Sequence, residues 1–183
     1  MGRRLRLFIA LAITVAAGFA VLFIFVVYRV LHVRSTWADG KRLYEAGRYA
    51  EASIPLREFS AQMPSDADGH YWLANALGFS NQVEEAVIEL RTAARLDPKN
   101  AGYQVALGNA LQFLGREVEA EQAFRKSLSL GSKEADVHVS LGYALCKQDR
   151  RAEGEQEFRT AIQIDSKNVR AQRELRYIRS PDS

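Results

Sequence analysis

The chain has 183 residues, 48% of them hydrophobic and 26% charged, so it is not compositionally disordered and has material for one folded domain of about 150 residues beyond an N-terminal segment. The net charge of +3 misleads: five arginines (Arg3, Arg4, Arg6, Arg29, Arg34) flank the N-terminal apolar run, and the rest carries 20 basic and 22 acidic residues, so bulk charge gives a general nucleic-acid role no support. Cys146 is the single cysteine, which excludes an intramolecular disulfide and leaves the redox compartment open.

Residues 1–6 form a short basic tail. From Leu7 to Tyr28 there are 22 uncharged residues. At ~1.5 Å per residue this is about 33 Å of helix, enough for a hydrocarbon core of ~30 Å. The segment 7–28 is therefore predicted to be a transmembrane helix. A cleaved signal peptide is the competing reading, with Gly18-Phe19-Ala20 as its site. The run Val21 to Val27 would then open the mature chain, which argues for an anchor. Arginines on both sides blur the orientation. A membrane potential opposes export of a triple-arginine tail, which favours an N-terminus inside a bacterial inner membrane and repeats in the periplasm. A cytoplasmic placement stays open.

From Val33 to Asn168 a unit of 34 residues repeats without insertion or deletion. Leu73, Leu107 and Leu141 mark it, as do Gly40, Ala74, Gly108 and Gly142, then Leu43, Leu77, Leu111 and Leu145, then Ala52, Ala86, Ala120 and Gly154. A fixed period of this length specifies stacked helix pairs. The units are 33–66, 67–100, 101–134 and 135–168. Within them helices are predicted over Ala67–Ser80 and Glu84–Leu96, Ala101–Leu114 and Val118–Leu130, and Ala135–Lys147 with a partner ending near Ile164. Leu73 and Leu77, like Leu107 and Leu111, share one helical face. Small residues at 74, 108 and 142 are expected to face those at 86, 120 and 154, with Leu56, Leu90, Phe124 and Phe158 as larger anchors. The first unit departs: Asp39 replaces the leucine, Phe59 stands where a small residue is expected, and Pro55 would remove a hydrogen bond unless its helix starts late. No proline or glycine interrupts Phe19 to Asp39, so the membrane helix is expected to run straight into the first repeat helix. After Asn168, residues 169–179 form a capping helix with Ala171, Leu175 and Ile178 as its apolar stripe, and 180–183 a tail.

These residues resemble the tetratricopeptide repeat family over about three quarters of the chain. The matching set adds turn glycines Gly47 and Gly115, small residues Ala93, Ser127 and Ala161, and Pro64 and Pro98 at the unit ends. The resemblance implies an all-α protein: an N-terminal transmembrane helix, a right-handed α-solenoid and a C-terminal cap. It also implies a concave groove lined by the first helix of each repeat, here Trp37, Lys41 and Tyr44; Tyr71, Asn75 and Phe79; Val105, Asn109, Gln112 and Phe113; and Val139, Tyr143 and Lys147. Asn75 and Asn109 are suited to an extended peptide backbone, since an amide both donates and accepts. A chaperone-binding subset of the family clamps a C-terminal carboxylate, but Trp37 and Val105 stand where that clamp wants lysine.

His70 and His138 share one repeat position two units apart, on the order of 20 Å, too far to share a metal, and are expected to be structural. Cys146 is read as a small helix residue. Arg170, Arg173, Arg176 and Arg179 decorate the last helix as a candidate basic surface, with a solvated face as the plainer reading. No phosphate loop, H-E-x-x-H or G-x-S-x-G is present, so no enzyme, metal or cofactor is expected. The reading that emerges is a membrane-anchored adaptor for a protein or peptide partner. A self-associating scaffold or a cytosol-facing recruitment receptor is the alternative.

Overall fold

The computed structural model describes residues 2–178, with side chains described at residue 2 and from residue 18 onward. Nine α-helices follow in order among these residues: α1 (Gly2–Glu45), α2 (Tyr49–Gln62), α3 (Ala67–Phe79), α4 (Val83–Leu96), α5 (Ala101–Phe113), α6 (Glu117–Ser129), α7 (Ala135–Lys147), α8 (Arg151–Ile164) and α9 (Val169–Ile178). Four hairpins (α1 with α2, α3 with α4, α5 with α6, α7 with α8) stack in sequence, and α9 closes the stack against α8 and α7. Predicted helix bounds shift by one residue at several ends, as fraying helix termini do.

The repeat is written into the connections. Gly47, Asn81, Gly115 and Asp149 each occupy the fifteenth position of their unit and each adopts a left-handed φ, between 60° and 74°. Glycine reaches this region freely, and Asn and Asp tolerate it better than other residues. The last position of each unit starts the next first helix. There Asp66 and Asn100 accept hydrogen bonds from the Gly69 and Gly102 amides, and Asn168 accepts from Ala171 at the head of α9. These side chains satisfy amides that lack an intrahelical partner. Glu134, at the same position before α7, makes no such bond.

The core runs along the stack. One cluster joins Ala52 and Leu56 of the first unit to Leu73, Leu77, Leu90, Leu107, Leu111 and Phe124, and on to Leu141 and Leu145. A second, of Val139, Phe158, Ala161 and Ala171, lies under α9. The expectation that small residues at 108 and 142 face 120 and 154 needs refining. A methyl group on Gly108 would sit 2.5 Å from the Phe124 ring, and one on Gly142 would sit 2.7 Å from Phe158 before meeting the Gly154 carbonyl at 3.0 Å. The small residue therefore makes room chiefly for the anchor. Phe59, the apparent misfit of the first unit, is also accommodated. Its ring lies tilted against Trp37 at 4.7 Å and packs over Gly69; later units carry Tyr103 and Val137 at the position of Gly69 and the small Ala93 and Ser127 at that of Phe59.

Helix α1 is continuous from the apolar segment into the first hairpin, and Pro55 lies inside α2 rather than at its start. Pro55 has no N–H for the Glu51 carbonyl, and tertiary packing of Ala52, Leu56 and Phe59 holds the helix regardless. Gly18 to Glu45 is long and apolar enough to cross a membrane by length and composition. Large apolar side chains from Phe19 to Leu31 face outward, Phe23 at 70% exposure, so this stretch is no core helix of the domain. At its end His32 meets Glu58 of α2 at 2.7 Å and stacks on Tyr28.

Candidate peptide-binding groove

The first helices α3, α5 and α7 present their free faces side by side. A cavity of about 550 Å³ lies between α3 and α5, lined by Tyr71, Asn75, Phe79, Val105, Asn109 and Phe113 among others. A second, of about 610 Å³, continues it towards α7 and shares Val105, Asn109 and Phe113 while adding Gln112, Ser140, Tyr143 and Arg170. The first space is mainly apolar, floored by Ala74, Gly78, Ala106 and Ala110, whose small size opens it. Phe79 and Phe113 are 62% and 71% exposed at its rim, unusual for rings with core on their other side. The Asn75 amide donates one hydrogen bond back to the Tyr71 carbonyl at 3.0 Å. That bond uses one of its two N–H groups and leaves the amide oxygen free to accept.

The groove residues on α1 sit beside this space rather than in its lining. Tyr44 packs edge-on against Trp72 at 5.1 Å and against Phe79 at 6.1 Å, and Lys41 lies over the rings of Trp37 and Trp72. At the other end Lys147 lies over Tyr143 at 5.3 Å. Val139 departs from its expected role. It is 1% exposed beneath α9, packed with Phe158 and Ala171, and presents nothing to a groove ligand. The cap takes the place of a further repeat and covers that position.

Trp72, Glu134 and Asp136 border the groove without having been picked out from the sequence. Trp72 neighbours a groove position in the unit, and the two acids lie at a unit boundary, where repeat periodicity gives no orientation. Arg170, read as part of a basic surface, borders the far end of the groove with Asp136 at 3.9 Å. Arg173 pairs with Glu174 at 2.7 Å, Arg176 donates to the Gln172 carbonyl, and Arg179 lies outside the described residues.

The histidines are tied within their own hairpins. His70 Nδ1 meets Glu89 at 2.5 Å and His138 Nδ1 meets Glu157 at 2.7 Å, the same pair of repeat positions twice. Among the described residues no group of three or more His, Cys, Asp or Glu gathers as a metal site. The Cys146 sulfur fills space above Gly154, and burial pushes its thiol up from the ordinary value, with Arg151 opposing. This keeps it a thiol rather than a reactive thiolate.

Residues 67–100 and 101–131 match the tetratricopeptide repeat family. No curated protein sequence matches the chain. Among solved structures, MamA from Desulfovibrio magneticus RS-1 superposes with a TM-score of 0.76 at 17% identity, over 80% of this chain and 83% of that one. YrrB, described as a TPR protein with an unusual peptide-binding site, gives 0.74 at 19% identity, over 79% and 74%. The first TPR of Spaghetti (RPAP3), bound to the HSP90 peptide SRMEEVD, gives 0.60 at 19%, over 61% and 89%. At these identities the likeness concerns the fold.

Proposed function

Because the chain carries tetratricopeptide repeats, we propose that it is an adaptor, anchored in a membrane by α1, that binds an extended protein segment in its concave groove. The observation that carries this is the mainly apolar cavity between α3 and α5, with Phe79 and Phe113 exposed at its rim and two side-chain amides beside them. Such a site offers apolar area for anchor side chains and polar groups for backbone. The peptide-bound Spaghetti repeat and YrrB support the reading as proteins of this fold that carry peptide sites. We place the repeats on the periplasmic side of a bacterial inner membrane, serving the assembly of envelope proteins.

A photo-crosslinking residue at Phe113 is expected to capture a defined partner, and one at Gln122 on α6 is not. Asn75→Ala with Asn109→Ala should abolish that capture while helicity and thermal unfolding stay as in the parent. Capture unchanged in the double variant would remove the groove from consideration. A C-terminal reporter active only outside the cytoplasm is the expected topology result. Activity only inside would replace the envelope role by cytosolic recruitment. A second reading, a self-associating scaffold, draws on Ile54 and Ile88, 69% and 62% exposed at the same position of adjacent units. A monomer by sedimentation in detergent would dismiss it.

A further inference from the structure

The two ends of the groove differ in charge. At the far end Glu134, Asp136 and Arg170 mix signs, and Lys147 has Glu117 in its surroundings. At the end near α1, Lys41 faces two aromatic rings. Its Nζ lies 4.7 Å from the centre of the Trp72 ring and 5.6 Å from that of Trp37. Both distances fall within the ~6 Å range at which a ring face attracts an ammonium. Among the described residues no carboxylate pairs with it, and the neighbouring Asp39 is taken by Arg42. Two indoles thus fix an ammonium and exclude water from part of its surface. This shelf is continuous with the apolar cavity: Trp72 packs on Tyr71 at 6.1 Å, and Tyr71 lines the cavity.

Adjacent first helices are spaced by about 8–10 Å, and an extended chain advances ~3.3 Å per residue. We propose that the groove selects an internal segment with a bulky apolar residue for the cavity and, on the same face of the extended chain, an aspartate or glutamate about two or four residues away for Lys41. This deepens the groove reading above and rests on it. The Trp37 and Trp72 rings hold Lys41 in place, so the ligand carboxylate meets an ordered ammonium rather than a freely rotating one.

The test is selection of randomised dodecapeptides, displayed with both ends fused, on the full chain in lipid nanodiscs. Peptides selected by the parent should carry Asp or Glu about two or four positions from a Phe, Leu, Trp or Met. Lys41→Met should keep the apolar preference and lose the acidic one, whereas Lys126→Met, on the outer helix α6, should keep both. For a selected peptide, changing its acid to the amide should weaken binding about tenfold in the parent and little in Lys41→Met. Apolar selection without acidic enrichment, or enrichment that survives Lys41→Met, overturns the inference and leaves the groove reading standing. Failure to select any peptide overturns both.

Discussion

Ser127 is fully buried on α6 and its hydroxyl has no hydrogen-bond partner. Ala93 and Ala161 hold the same position in the neighbouring units, also fully buried. An unsatisfied buried hydroxyl carries a desolvation penalty of about 1–3 kcal/mol, so Ser127→Ala should stabilise the protein by about 1 kcal/mol in denaturant unfolding. Gly108 has the opposite expectation. An added methyl meets the Phe124 ring, which is itself fully buried, so Gly108→Ala should destabilise by about 1–3 kcal/mol. Adding Phe124→Leu should recover part of that loss, because Ala74 and Leu90 already form this smaller pair in the second unit. A double variant no better than Gly108→Ala would mean that backbone approach, not the ring, sets the limit.

Between neighbouring outer helices an ion-pair ladder repeats with the unit: Arg57 with Glu85 at 2.8 Å, Arg91 with Glu119 at 2.5 Å and Arg125 with Glu153 at 3.8 Å. These side chains are about half exposed, so Arg91→Ala should lower stability by less than ~1 kcal/mol and by less still at high salt. Glu121 differs in kind. Burial alone would raise its pKa, yet hydrogen bonds from Arg150, Gln148 and Arg125 outweigh it and leave the carboxyl below its ordinary value. A carboxylate depressed in the folded state adds stability above its unfolded pKa of about 4.3, and that stability disappears as pH falls through the folded value. Unfolding of the parent should therefore become easier on acidification below about pH 4, and Glu121→Gln should flatten that dependence. An unchanged slope in the variant would assign the acid sensitivity to other carboxylates.

The stack has ends, and they are finished differently. At one end α1 passes without a break from apolar segment to repeat helix, locked to α2 by His32 and Glu58. At the other, α9 covers Val139, Phe158 and Ala161 through Ala171. A chain ending at Asn168 would expose this second cluster while leaving the first intact. It should melt at lower temperature and bind a hydrophobic dye at the α8 end, and loss of order confined to α7 and α8 by hydrogen exchange is the expected signature. Uniform loss along all four hairpins would show instead that the units unfold as one.

The period, the helices and the turns are local consequences of residue type. The 34-residue spacing, the turn position at Gly47, Gly115 and Asp149, and the acid or amide before α3, α5 and α7 are legible without coordinates. Tyr71, Asn75, Val105 and Asn109, which the resemblance to the repeat family implies for a groove, line one cavity. Other features depend on what lies across an interface. Val139 has the position of a groove residue and the burial of a core residue, because α9 stacks where a fifth unit would. Phe59 reads as a misfit until Gly69 of the next unit is seen beneath it. Trp37, Lys41 and Trp72 lie on two helices, and only their packing brings two ring faces to one ammonium. Periodicity orders side chains along one helix, whereas distances between helices are set by how large and small residues interlock across the stack.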